Sequence, residues 1–420
     1  MTGATQHETE LIVTTDDQMA ETTPQSRPSR KPIALVLLIF FAFIALGMPD
    51  GLLGVGWPTI RAEFGIPVDA IGMILLTTMI GYLISSFFSG AILRRFSVGK
   101  VLIASCFVSG VGLIGYTFAP KWGYMAVLGL LAGLGAGTID AGLNAFVDNH
   151  FGPGLMQWLH ASYGVGVTTG PLLMTYFLTN FSQWRHGYVL VGAVQLILSI
   201  VFTLTLPMWA ALEKQKPAQG EQIVKKDRAG FTQTLRSPMV WLSTALFFLY
   251  VGGEVILGTW TYSLLTESRG VRPDLAGLFA SSYWLSFTIG RILAGLITHK
   301  VNVGRLVIGC MLAALAGAVL LLVSTSPITS LIAVAVIGFA FAPIFPGLVS
   351  TTAQRVGKAH VDNAIGIQIS TGVPGGAILS SLVGRLAKSS GLEVMPVTLL
   401  AVLALEITLY LLSRRKLSNL

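Results

Sequence analysis

Charge is what this chain has least of. Lys, Arg, Asp and Glu make up 11% of its 420 residues, less than half of the roughly 25% usual in soluble domains. Apolar types fill 53% of the chain, a balance that excludes an ordinary water-soluble domain. Cysteine is almost absent as well. Cys106 and Cys310 each stand alone in an apolar segment, which excludes a disulfide framework and a cysteine-based metal site. The signatures of enzymes are missing too, since there is no HExxH, no GxSxG and no sizeable polar domain to hold them. The glycine runs GLGAG, GVGVTTG and TGVPGG follow no strand and lack the GKS or GKT of a phosphate loop. No metal and no cofactor is expected. A secretory leader is excluded by the first thirty residues, which carry Glu8, Glu10, Asp16, Asp17 and Glu21 and no apolar core behind a basic start; they read as a disordered tail.

What the chain has in quantity is long apolar segments. About 20 residues at 1.5 Å rise cross a hydrocarbon core of roughly 30 Å, and twelve segments reach that length: 33–57, 68–92, 98–118, 124–147, 156–180, 187–208, 239–265, 275–298, 303–324, 328–352, 362–387 and 395–413. The fold class expected is an all-α integral membrane protein. The net charge of +8 follows the membrane rather than a nucleic acid. With both termini on one side, 19 of the 27 Lys and Arg fall on that side and 7 on the other, Arg291 remaining inside a helix. The positive-inside rule then places both ends in the cytoplasm of a cell membrane.

One long polar stretch, around EKQKPAQGEQIVKKDRAGF, divides the spans six and six. The division expected is a tail over 1–31, a six-helix bundle over 32–208, a linker over 209–237, a second bundle over 238–413 and a tail over 414–420. The two bundles read as copies. GAILRRFSVGKVLI from Gly90 and GLITHKVNVGRLVI from Gly295 align at an offset of 205 residues, as do GLGAGTIDAGL from Gly133 and GFAFAPIFPGL from Gly338. With one residue of slippage Asp50 pairs with Glu254 and Gly54 with Gly258. A duplicated six-helix unit implies halves related by an axis along the membrane normal, with a site near the midplane between them.

Within the apolar segments stand four acids, Asp50, Asp140, Glu254 and Glu406. Such groups are costly in hydrocarbon and usually mark a pathway. A carboxyl holds its proton in low dielectric and releases it to water or a nearby cation, which is what coupling to protons requires. Asp50, Asp140 and Glu254 are the candidates for that role, whereas Glu406 in the last helix has no neighbouring motif and reads as structural. Asn144 follows Asp140 by four residues and shares its helical face. Asn363 and Gln368 add amides, which suit a polyhydroxylated ligand and serve equally well as interhelical hydrogen-bond partners. Trp260, Tyr262, Tyr283 and Trp284 could stack on a ligand face or anchor at the membrane interface, and of these Trp260 and Tyr283 are the candidates for the site. His160 and Tyr163 suggest a relay, against a plain structural histidine. Arg94, Arg95 and Lys100 in the basic loop, with Arg291, are gating candidates, the loop residues serving also as a topology signal.

The loop GAILRRFSVGK resembles the signature loop of the major facilitator superfamily, departing from it at Arg94, where that superfamily usually has Asp. GAGTIDAGLNAF, LHASYGVGVTTGPLL, WRHGY, YVGGEVILGTW, AFAPIFPGLVS and NAIGIQ together resemble the fucose, galactose and glucose proton symporters and their bacterial relatives. The resemblance implies twelve helices in two pseudo-symmetric bundles, a monomer in the lipid bilayer, and import of a monosaccharide or similar small polar solute with protons through acids of the first and fourth helices, where Asp50 and Asp140 stand. HASYGVG lacks a polar residue that the fucose permease carries in its fifth helix, so fucose itself is not implied. The competing expectation is an efflux antiporter for small amphiphilic compounds, which would use the same acids.

Overall fold

The computed structural model describes residues 30–151, 153–213, 229–297 and 301–415, and among these there is no strand. Twelve long helices follow one another: α1 Arg30–Phe64, α2 Ile71–Arg95, α3 Val98–Phe118, α4 Trp122–His150, α5 Pro153–Phe181 and α6 Arg185–Leu204, then α7 Pro238–Ser263, α8 Pro273–Ile297, α9 Val303–Val323, α10 Pro327–Phe341 continued by Ile344–Ser350, α11 Val361–Ser390 and α12 Val394–Arg415. Local chemistry sets several of their starts. Proline occupies the first turns of α7 and α10, where its missing N–H costs nothing. Asn302 caps α9 by accepting from the Arg305 N–H at 3.1 Å. Outward faces carry Phe87, Phe118 and Val323, at 82%, 79% and 72% exposure, which is the inverse of a soluble surface and fits lipid contact.

The helices differ from the sequence expectation in three places. The first helix does not stop before Pro58 but runs on to Phe64 with Pro49 and Pro58 inside it. Proline is tolerated there because neighbouring helices satisfy the freed backbone, and buried Trp57 anchors the added turns against Trp122, ring centroids 5.3 Å apart. The tenth helix is interrupted at Pro343. The polar stretch is not all loop: a short helix, Leu206–Glu213, buries Trp209 against the first bundle, and Glu213 accepts from the Val98 N–H at 2.6 Å to cap α3. Residues 214–228, and most of the tails expected at 1–31 and 414–420, lie outside the described residues, while Arg30, Lys31, Arg414 and Arg415 belong to the first and last helices.

The internal repeat survives in the ion pairs. On the face opposite the termini, hereafter the far face, Arg185 at the start of α6 holds Glu63 at the end of α1 and donates to the Thr117 carbonyl of α3 at 3.0 Å. In the second half Arg269, just past α7, grips Glu393 before α12 and donates to the Leu321 and Ser324 carbonyls at the end of α9. First, third and sixth helices are thus clipped together in each half, with the charges exchanged: Arg61-Ala62-Glu63 corresponds to Glu267-Ser268-Arg269. Glu406 does not border the central cavity; it is fully buried on α12, which packs against α7 and α9.

The second clip buries a guanidinium whose side chain is only 1% exposed, so its carboxylate matters. Hydrogen bonds from Arg269 hold Glu393 below the ordinary carboxyl value of 4.5. A depressed native value means that the contribution is complete above that pH and fades as pH falls through the lowered value. Glu393→Gln is therefore expected to lose about 1 to 2 kcal/mol at neutral pH, water at the half-exposed carboxylate reducing the full strength of a charged pair. Thermal unfolding in detergent checks this: the wild-type advantage over the variant should shrink in acid.

Candidate functional site

Small residues bring two helix pairs of the first half into backbone contact. A Cβ on Gly166 would stand 2.1 Å from the Ile44 carbonyl oxygen, and one on Gly133 would stand 2.0 Å from that of Thr78; only glycine permits these approaches. The α1–α5 crossing lets the Tyr163 hydroxyl donate to Asp50 Oδ2. The α2–α4 crossing lets the Tyr82 hydroxyl donate to Asp140 Oδ2. Each intramembrane aspartate of this half therefore has a tyrosine from the neighbouring helix. Asn144, one turn on, donates to Asp140 Oδ1 at 2.8 Å and to its carbonyl at 2.9 Å.

Between the two halves lies a cavity of about 350 Å³. The first half supplies its polar wall, with Asp50, Tyr82, Tyr163, Tyr188 and Gln195. The second half supplies Glu254 and Trp284 among Val251, Val255, Val373 and Ala377. Asp50 is exposed to this cavity, and Glu254 and Asp140 are within its electrostatic reach. Glu254 in turn interacts with Tyr250 and lies within the field of Arg291, whose guanidinium stacks on Phe287 at 4.5 Å. Three carboxyls, two of them tyrosine-bonded and one within the field of a cation, thus share one region. The arrangement can bind and release protons and offers hydroxyl and amide groups to a solute.

The other residues singled out in the sequence occupy different places. Asp140 and Asn144 stand behind Tyr82 rather than on the cavity wall, and the Asn144 amide is occupied by Asp140. Trp260 is fully buried and donates to the Ser380 carbonyl and hydroxyl at 3.0 and 3.1 Å, joining α7 to α11. Tyr283 is fully buried with its hydroxyl on the Glu254 carbonyl at 3.1 Å. The indole at the cavity is Trp284, which gains its space from the missing side chain at Gly258. Gln368 donates to Ser243 at 2.7 Å and accepts from Thr352, both of which also bind the buried guanidinium of Arg355. Asn363 donates to the Ala229 carbonyl at 3.1 Å. These two amides therefore serve helix packing near the face of the termini. Arg94, Arg95 and Lys100 are exposed on that face, Arg95 lying over Phe96 at 5.9 Å. His160 lies 6.0 Å edge-on to Phe43, and Tyr163 bonds Asp50, not His160.

Sequence reasoning passed over Tyr82, Tyr188 and Gln195. Tyr82 follows Thr78 by four residues in α2, with Ser85 and Ser86 close behind, and Gln195 is the lone amide of α6. Polar side chains at those spacings are a readable signal, but only the crossing of the helices tells which acid or cavity they meet.

Among the described residues, the hydrogen bonds that cross between the halves are both on the far face. Arg61 of α1 pairs with Glu267 after α7 at 2.6 Å, and Lys388 of α11 pairs with Asp69 before α2 at 3.3 Å. Gly54 and Gly258, matched in the sequence repeat, come into contact where α1 meets α7. The halves are thus tied together at one end of the cavity.

Comparison with known proteins gives one consistent picture. Residues 37–416 match the family model described as Major Facilitator Superfamily. The chain is 24% identical to "Bypass of stop codon protein 6" of Saccharomyces cerevisiae, covering 89% of this chain and 82% of that one. It is 23% identical to the glucose/mannose transporter GlcP of Bacillus subtilis, covering 78% and 81%. To the human sodium-dependent glucose transporter 1 it is 22% identical, covering 74% and 66%. Its fold is similar to that of a bacterial homologue of the human lysosomal transporter Spinster in an inward-facing, unoccupied conformation, with TM-score 0.73, 12% identity and coverage of 94% and 99%.

The far-face ties predict how the halves separate. With spin labels at exposed Ala62→Cys and Ser389→Cys, Arg61→Glu is expected to add a population at longer distance, because like charges then meet at Glu267. Adding Glu267→Arg should restore the short distance. An unchanged distribution in Arg61→Glu would show that the pair does not hold this end closed.

Proposed function

The chain belongs to the Major Facilitator Superfamily and is a multi-pass membrane transporter rather than an enzyme, and we propose that it takes up a monosaccharide or similar small polar solute together with protons. The observation that carries this reading is the pair of tyrosine-bonded aspartates beside a cavity between the two halves. Asp50 meets solute and water directly, Asp140 is reached through Tyr82, and Glu254 carries the coupling to the second half. In the proposed cycle, a proton on Asp50 or Asp140 favours solute binding by sparing a charge in low dielectric. Rocking of the halves about the α1–α7 and α5–α8 contacts then exposes the cavity to the opposite face. The proton then leaves Asp50 or Asp140 to the water that enters the cavity on that side.

A polyhydroxylated cargo is supported by the tyrosines and Gln195 in the cavity wall, and by relatives named as glucose and mannose transporters. An efflux antiporter for amphiphilic compounds finds less support, since no Phe and one Met, Met79, border the cavity. The excess of Lys and Arg on the face of the termini supports a cytoplasmic placement of both ends and an extracellular far face. A single chain holds both halves and serves as the transport unit.

Uptake into proteoliposomes tests the reading. An inward proton gradient is expected to drive accumulation of a hexose, and a sodium gradient alone is not. Asp140→Asn should abolish gradient-driven accumulation while solute exchange persists. If no sugar accumulates under any proton gradient, the symport reading falls; unaltered accumulation in Asp140→Asn removes that residue from coupling.

A further inference from the structure

Gln195 of α6 is 1% exposed and is set by one bond: its Nε2 donates to the Ala45 carbonyl of α1 at 3.1 Å. That contact fixes the orientation of the amide, because a carbonyl accepts only from the NH₂ end. The other end, Oε1, is buried without a hydrogen-bond partner, on a side chain that borders the cavity. An orphan acceptor in a dry interior is unfavourable and asks for a donor.

Its surroundings say what kind of donor. Tyr188 precedes Gln195 by two helical turns on α6 and borders the cavity too. On α3 Ser109 is likewise on the cavity wall, beside Gly110, which packs on the Gly192 carbonyl of α6 about one turn before Gln195. Neither the Ser109 nor the Tyr188 hydroxyl is hydrogen-bonded among the described residues. Asp50, on the same cavity wall, reaches Tyr188 through its field. Leu46 and Leu113 close the apolar sides. We infer that this corner, inside the first half and behind the interface of the halves, is a subsite for one hydroxyl of the cargo. Gln195 Oε1 accepts from that hydroxyl, and the Ser109 hydroxyl completes its hydrogen bonds. A carboxylate group does not fit, because the corner offers no cation and Asp50 borders the same cavity. The subsite makes the first half the one that reads the identity of the solute, while the largely apolar second half closes over it.

The inference rests on the reading of the cargo as a sugar, and the test separates the two. Binding of D-glucose and its 2-, 3-, 4- and 6-monodeoxy derivatives is measured by competition in detergent for wild type, Gln195→Met and Ser109→Ala. In wild type, removal of one particular hydroxyl is expected to weaken binding roughly tenfold more than removal of the others. Gln195→Met should bind glucose roughly tenfold less tightly and no longer distinguish it from that one derivative, while discrimination at the other positions persists. Ser109→Ala should weaken discrimination at the same hydroxyl. Should Gln195 act only as a tie between α6 and α1, its variant will weaken all derivatives equally with the wild-type pattern intact, and the subsite is refuted. If Gln195→Met does not fold, an unchanged pattern in Ser109→Ala refutes it instead. Wild type that binds no hexose overturns the sugar reading itself, and the subsite with it.

Discussion

A carboxyl group in hydrocarbon has to be given a partner from another helix, and the architecture of the first half follows from meeting that demand twice. Tyrosine is the donor in both cases, and its reach is short. The backbones of α1 and α5, and of α2 and α4, must therefore approach to a distance that Gly166 and Gly133 allow and alanine would not. The glycine content of these segments, the crossing of the helices and the position of the cavity wall are one solution to one desolvation problem. Neither aspartate can be moved by a turn without losing its tyrosine.

The second half meets the same demand differently. Glu254 interacts with Tyr250 on its own helix and with the field of Arg291 on α8, and around it the wall is mostly Val, Gly and Ala. An asymmetric cavity results, polar and hydrogen-bonded on one side and smooth on the other. Such a pairing suits a part that holds its ligand and a part that slides over it. The clips Arg185–Glu63 and Arg269–Glu393 keep each half stiff while the pairs between halves remain exposed enough to break.

The twelve helices were legible because their apolar length is an unavoidable requirement of the bilayer, and the duplication was legible because Gly90 and Gly295 begin the same pattern. Asp50 and Glu254 could be singled out for the same reason: charge in an apolar run is conspicuous at any position. Side-chain partners were less accessible. Trp260 and Tyr283 have the composition of a binding site but point into helix contacts, and one residue on, Trp284 faces the cavity; a step of 100° on a helix is decided by tertiary packing, not by residue type. Asn363 and Gln368 show the same limit, since an amide is as useful to a neighbouring helix as to a ligand. The end of α1 escaped because Pro58 signals a stop in water and not in a bundle that supplies its own hydrogen bonds.

The exchanged charges of Arg61-Ala62-Glu63 and Glu267-Ser268-Arg269 carry a consequence for assembly. Positions near a two-fold axis meet their own counterparts, and Arg61 meets Glu267. In a protein of two identical halves the same contact would join two arginines or two glutamates. The exchange makes each half complementary to the other and repellent to a copy of itself. At this contact a first half set against another first half would meet its own charge, whereas the second half presents the opposite one.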